Sequence, residues 1–303
     1  MRYVYVILLC LSSFAVSAQG DAVISQYVLQ PYLFNPAAAG SEEMLQVGAQ
    51  YRNQWGGMEG APQNLMVQFN NSTRKNNIGY GAWLGRDTWG PYAKNEVFGT
   101  FSYRIKAGKG HLSMGIQAGL QNFNTSWNEL TAYQAGDVTF TGNPGNNVFI
   151  PNFGAGVLYK NKRLSVGIGI PRMLSGKVFE SQNITQVNYY NAHFNYRMLL
   201  DKKVGLVPAI LVKWTKNTAQ VDLNLYAVIL EKIWVGAGFR SDKSANFNAQ
   251  YHLNAGVNQF KLGYAYDLAN GAYRSATGSG THEIMLVYQR QHKAVNVTIT
   301  PVF

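Results

Sequence analysis

Cysteine is almost absent. The 303 residues hold one, Cys10, and it lies in a leader-like segment. Met1–Ala18 has Arg2 at its start, an apolar stretch over 3–11 and small residues at Val16-Ser17-Ala18, the pattern of a secretory signal peptide. A chain that sheds this segment keeps no thiol, which excludes disulfides, cysteine nucleophiles and thiolate zinc sites. Charge is scarce as well: Asp, Glu, Lys and Arg make up 14% of the chain, against roughly 25% in soluble domains. After residue 20 no predominantly apolar run approaches the ~18–20 residues of a membrane helix. The 5 histidines show no HExxH spacing, and neither a GxSxG elbow nor a P-loop occurs. His282-Glu283 stands alone, and His111 shares a strand face with Ser113, a common coincidence. The expectation is no enzyme, no cofactor and no metal.

What is abundant is Tyr, Gly and positive charge. There are 19 Tyr, 31 Gly and a formal net charge of +11, with a pI near 9.6. Such a balance suits nucleic acid or an anionic surface. Export removes nucleic acid, so the chain is expected to be secreted, periplasmic or a membrane β-barrel.

The dominant period is two. Over Asn246–Asn258, Phe247, Ala249, Tyr251 and Leu253 share one face, and Asn246, Asn248, Gln250 and His252 the other. Fourteen segments alternate in this way: 44–54, 63–71, 76–87, 94–106, 110–122, 149–160, 163–171, 186–200, 203–215, 219–230, 232–240, 246–257, 259–268 and 281–291. Many reach the ~9–11 residues that cross a membrane as tilted strands. Connections near 108–110, 161–162, 201–202, 231–232 and 258–259 are short, while those near 88–93, 123–148, 172–185 and 269–280 are longer, with 216–218 an exception. The pattern predicts an all-β fold: a transmembrane antiparallel up-and-down barrel of about 14 strands, with short periplasmic turns and longer extracellular loops. A soluble β-sandwich is the competing architecture. One long up-and-down series favours the barrel, whose closure removes edge strands.

The apolar face is expected to meet lipid, with Trp89, Tyr92, Tyr103, Tyr159, Trp214, Trp234 and Tyr288 as interfacial aromatics. The opposite face reads as small and charge-poor, with glycine pairs such as Gly115 and Gly119, Gly154 and Gly156, Gly167 and Gly169. A glycine wall lets another backbone approach closely. The segment 19–43 is accordingly expected to fold into the lumen or across its periplasmic mouth. Lys109, Lys162, Arg163, Lys202 and Lys203 fall at the short turns, which predicts a basic periplasmic rim, for lipid headgroups or for an acidic partner.

Several blocks resemble the PorP/SprF family of outer-membrane proteins, components of type IX secretion in Bacteroidetes. They are Ser25-Gln26-Tyr27, Asn35-Pro36-Ala37-Ala38-Ala39-Gly40, Tyr51-Arg52-Asn53-Gln54-Trp55, Gly60-Ala61-Pro62, Tyr103-Arg104-Ile105, Asn152-Phe153-Gly154-Ala155-Gly156, Ile170-Pro171 and His282-Glu283-Ile284. The resemblance implies a non-enzymatic barrel. It would support export of a secreted protein bearing a type B C-terminal domain, in some members a gliding adhesin, and hold it on the cell surface together with other type IX components. Asn35, Pro36, Gly40, Tyr51, Arg52, Asn53 and Trp55 become candidates for partner binding or barrel closure. Arg52, Asn53 and Trp55 are expected as a polar and aromatic cluster at the extracellular end of the first strand. The chain thus divides into a signal peptide (1–18), an N-terminal periplasmic or lumenal segment (19–43), an outer-membrane barrel in contact with lipid (44–291) and a periplasmic tail (292–303). A passive porin or small-molecule transporter, and more remotely an outer-membrane hydrolase, are the competing functions on the same fold.

Overall fold

A computed structural model describes residues 23–73, 77–126, 147–179, 184–268 and 280–291. The signal-peptide and tail expectations therefore lie outside the described residues. Fourteen strands wind in chain order. They are β1 (Met44–Asn53), β2 (Gln63–Ser72), β3 (Ile78–Trp89), β4 (Tyr92–Ala107), β5 (Gly110–Thr125), β6 (Asn147–Lys160) and β7 (Leu164–Ile170). There follow β8 (Tyr190–Tyr196, resumed at Met198–Leu199), β9 (Val204–Trp214), β10 (Ala219–Ile229), β11 (Ile233–Arg240), β12 (Ala245–Ala255), β13 (Asn258–Leu268) and β14 (Thr281–Gln291). Each pairs antiparallel with its neighbours, and β1 pairs with β14 from Met44↔Gln291 to Asn53↔His282, which closes the barrel. A small two-stranded ribbon, Lys177–Phe179 with Ile184–Thr185, stands on the β7–β8 connection.

The alternation sorts side chains as the sequence predicts. Outward positions are apolar and open, with Ile116 63%, Leu286 56% and Phe247 52% exposed. A continuous wall of this kind suits lipid, since water-facing surfaces rarely carry large apolar patches. Tyr103, Tyr159, Trp214 and Tyr288 share this side. Trp234 does not. It is fully buried in the lumen, stacked on His252 at 5.2 Å and edge-on to Tyr226. Its strand parity, shared with Gly236 and Gly238, fixes that direction. Trp89 and Tyr92, stacked at 5.9 Å, follow the inward alternation of Asp87 and Lys94.

The two ends of the barrel differ, though less uniformly than expected. One end carries the short turns together with the start of β1 and the end of β14. The other carries the connections 54–62, 126–146, 171–189 and 269–280. The expected long connection at 88–93 is instead a tight turn, with Gly90 at φ +52 and only Gly90–Pro91 between β3 and β4. The connections 215–218 and 241–244 at that end are also short. Gly256, at φ +63, places the β12–β13 turn slightly earlier than the sequence pattern does. At 16 residues each, β4 and β5 span roughly 50 Å of strand and outrun the bilayer core.

Among the described residues no helix is long and apolar enough to cross a membrane. Inside the wall sits the chain's own segment 24–41, with Ile24, Tyr27, Tyr32, Leu33, Phe34 and Ala37–Ala39 buried against lumen-facing Trp83, Phe98, Leu158, Val207, Leu211 and Tyr226. Two short 3₁₀ turns, Pro31–Leu33 and Pro36–Ala38, compact it. Proline at the first position of each turn suits helical φ and gives up an N–H that would lack a partner there.

Candidate functional site in the barrel lumen

The segment runs from the long-loop end, at Ser25, to the turn end, at Glu43, and is held at three levels. At the long-loop end Arg52 of β1 and Arg240 of β11 face Asp222 of β10, Asp267 of β13 and Glu283 of β14, all buried. Arg52 Nη2 donates to Asp267 Oδ2 at 2.6 Å, and Arg52 Nη1 to Glu283 Oε2 at 3.1 Å. Arg240 Nε donates to Asp222 Oδ1 at 3.0 Å, and its Nη1 to Asp267 Oδ2 at 3.3 Å. The segment closes this network. Ser25 N–H donates to Glu283 Oε2 at 2.9 Å, Gln26 N–H donates to Oε1 at 3.0 Å, and Ser25 Oγ donates to Asp267 at 2.8 Å. Buried charges persist only when paired and hydrogen-bonded, and here carboxylates meet both guanidinium and backbone donors.

At mid-height Tyr32 Oη donates to Thr100 Oγ1 at 2.9 Å. Tyr27 Oη donates to the Asp222 carbonyl at 3.3 Å. Asn35 is fully buried and works in two directions. Its Oδ1 accepts from Ala37 N–H at 3.0 Å, capping the second 3₁₀ turn, and its Nδ2 donates to the Val157 carbonyl at 3.0 Å. The glycine pairs form its seat. A Cβ on Gly167 would lie 2.6 Å from Asn35 Nδ2, and one on Gly169 would lie 2.6 Å from the Phe34 carbonyl. A Cβ on Gly115 would enter the Pro36–Ala37 backbone, and one on Gly79 the Ala39 carbonyl. Gly40, at φ +65, turns the chain toward β1 and donates its N–H to Asn70 Oδ1 at 3.1 Å.

At the turn end the segment leaves as Glu42-Glu43. Lys160 Nζ donates to Glu42 Oε1 at 2.6 Å, and Arg104 lies 3.6 Å from Glu43. His111 Nδ1 is 4.0 Å from Glu43, while Ser113 is buried beside Arg104's strand.

The lumen is therefore not the charge-poor space that its glycines suggest. A second ionic chain lines the long-loop mouth: Lys94 bridges Asp87 at 2.8 Å and Glu96 at 3.1 Å, and Arg172 Nε donates to Glu96 at 2.9 Å. These charges sit singly at inward positions or in the following connection, so no local run announces them.

The sequence candidates separate accordingly. Asn35, Pro36 and Gly40 fasten the lumenal segment. Arg52 lies inside, across the closing seam from Glu283, and Tyr51 points out with 41% exposure. Asn53 and Trp55 sit half-buried at the strand's end, where Trp55 N–H, at φ +55, donates to Thr281 Oγ1 at 3.2 Å. The expected Arg52–Asn53–Trp55 cluster does not form, because Arg52 and Asn53 alternate across the wall. His282 and Glu283 likewise point to opposite sides: His282 Nδ1 meets Tyr264 Oη at 2.7 Å, and Glu283 meets Arg52. Lys109, Lys162, Arg163, Lys202 and Lys203 are all exposed on turns at one end. Sequence reasoning missed Asp222, Arg240 and Asp267. Their signal was a charged residue at an inward position of a strand whose outward face is apolar.

A closed antiparallel barrel with an apolar outer wall and an occupied lumen is the class that fold and site define. The chain matches the model of the type IX secretion system membrane protein PorP/SprF over residues 16–288, and it belongs to that family. The family is one of secretion-system membrane proteins rather than of enzymes, and with the barrel fold it places the chain in the outer membrane. No curated protein sequence matches the chain. Among solved structures the Pseudomonas putida toluene transporter TodX is similar at TM-score 0.51 and 8% identity, over 92% of this chain and 95% of TodX. A Pseudomonas aeruginosa FadL homologue reaches 0.49 at 11% identity, over 86% and 93%. The Acinetobacter baumannii outer membrane protein Omp33 reaches 0.47 at 12%, over 83% and 99%. At such identities the likeness to TodX bears on the fold alone.

Proposed function

We propose that this barrel is a receptor and anchor of type IX secretion. It is exported by its N-terminal signal, sits with the turn end toward the periplasm, and supports delivery of a secreted partner bearing a type B C-terminal domain. It retains that partner on the cell surface; a gliding adhesin is one such cargo. The observation that carries this reading is the filled lumen. Segment 24–41 occupies the space through which a solute or an unfolded chain would pass, and it is fastened at three levels. A passive porin needs an open aqueous lumen. The barrel therefore contributes surfaces at its two mouths rather than a conduit, and Asn35, Pro36, Gly40 and Arg52 act by seating the segment and closing the wall.

The experiment is affinity purification of the tagged barrel from native outer membranes, followed by mass spectrometry. The reading expects a large secreted protein in near-equal amount together with other secretion components. A barrel recovered alone after mild solubilisation contradicts it.

A further inference from the structure

The two mouths differ in their charge economy. At the long-loop end Asp87, Glu96, Asp222, Asp267 and Glu283 are bound up with Lys94, Arg172, Arg52 and Arg240 in internal pairs. At the turn end cations dominate in two tiers. The inner tier faces the lumen: Arg104 on β4, Lys160 on β6, Arg197 at the interruption of β8 and Lys261 on β13. The outer tier is the exposed turns, with Lys109, Lys162, Arg163, Lys202, Lys203 and Lys232. Against both tiers stand only Glu42, Glu43, Asp201 and Glu231 among the described residues of that end.

Two observations show what the mouth accepts. Lys160 Nζ holds Glu42 Oε1 at 2.6 Å and Arg104 lies 3.6 Å from Glu43, so the chain already places a carboxylate-bearing peptide there. Arg104, with its side chain 2% exposed, makes no hydrogen bond through any of its three guanidinium nitrogens among the described residues, and its ion pair with Glu43 is long at 3.6 Å. A buried guanidinium carries five donors in a fork matched to a carboxylate. Among the described residues these donors stay without a hydrogen bond at an inward position near the turn end.

We propose that the turn-end mouth is a docking site for an acidic peptide segment of a partner protein, whose carboxylates take the inner cations Arg104 and Lys261 while the turn cations hold its flanks. An anionic lipid surface is the alternative partner for a basic rim. The inner tier argues against it, because bilayer headgroups surround the outside of the barrel and Arg104 and Lys261 face its inside. This site is distinct from the surface-anchoring reading above and does not depend on it.

The test uses the full barrel folded in detergent, with heat-modifiable migration as the folding control. The probe is a fluorescein-labelled decaglutamate peptide followed by anisotropy, with phosphatidylglycerol vesicles as a separate arm. Decaglutamate should bind, and the affinity should fall at least about tenfold as salt rises from ~50 to ~500 mM, since screening shortens the reach of exposed charges. Reversal of the rim (Lys162→Glu, Arg163→Glu, Lys202→Glu, Lys203→Glu) should weaken binding at least about tenfold, and Lys261→Gln alone by about threefold or more. Reversal at the other mouth (Lys216→Glu, Lys243→Glu) should leave it unchanged. The proposal is overturned if both reversals weaken binding equally. It is also overturned if Lys261→Gln has no effect, or if the rim binds vesicles and not decaglutamate.

Discussion

At the scale of single residues, the lumen is a set of close approaches that tolerate little change. Gly115 is one of the tight ones: an added methyl meets the Pro36–Ala37 backbone at 2.4 Å, and that backbone is fixed by the Asn35 cap. Gly115→Ala is expected to destabilise the barrel by about 1–3 kcal/mol, the usual cost of overpacking, while Gly99→Ala, where a Cβ meets nothing within 4 Å, should be near neutral. Denaturation midpoints of the two variants in detergent check the difference. Arg52 offers a second test. Arg52→Met leaves Glu283 and Asp267 buried with one guanidinium fewer and should cost about 3–5 kcal/mol. Adding Glu283→Gln should recover part of that loss, and a double-mutant cycle on the same midpoints measures the coupling. If the two losses simply add, the pair is not acting across the seam as described.

At the scale of elements, the strands were legible and their interior contents were not. Period two survives wherever one side of a strand meets lipid, so all fourteen strands could be read from the chain, most of them to within a few residues. The ends moved where turn chemistry ruled: Gly90-Pro91 tightened what looked like a loop, and β4 and β5 ran on beyond the membrane. The ionic network was hidden for a different reason. Its members lie far apart in the chain, Arg52 and Glu283 by 231 positions, and only closure of β1 on β14 brings them opposite. The blocks Ser25-Gln26-Tyr27, Tyr51-Arg52-Asn53 and His282-Glu283-Ile284 look unrelated along the sequence, yet they meet at one knot in space. The lumenal segment carries its own prediction. It threads from the long-loop mouth to the turn mouth, so with the turn end toward the periplasm, as proposed, Val23 would lie at the outer mouth and Glu43 at the inner one. A chain that has shed Cys10 has no thiol of its own, so single-cysteine variants give a clean readout. Val23→Cys should react with a membrane-impermeant maleimide on intact cells, and Glu43→Cys only after the outer membrane is breached. The reverse pattern would mean that the barrel is inserted or threaded the other way.

At the scale of the whole molecule, scarcity of charge and abundance of charge have separate causes. The outer wall is charge-poor and apolar, which suits a lipid surround. The lumen holds its charges in pairs, and the excess of cations collects at the turn end. The lumenal segment joins these parts: its Ser25 completes the ionic knot, its Asn35 fills the glycine seat, and its Glu42 meets the basic mouth. The central claim is that this segment fills the lumen, as the proposed anchor requires and a pore does not allow. Planar-bilayer conductance tests it most directly, on the intact barrel and on a variant lacking residues 24–39 that still shows heat-modifiable migration. The account predicts no steady conductance from the intact barrel and a large, stable step from the shortened one. A steady open conductance from the intact barrel, unchanged by the deletion, would contradict it.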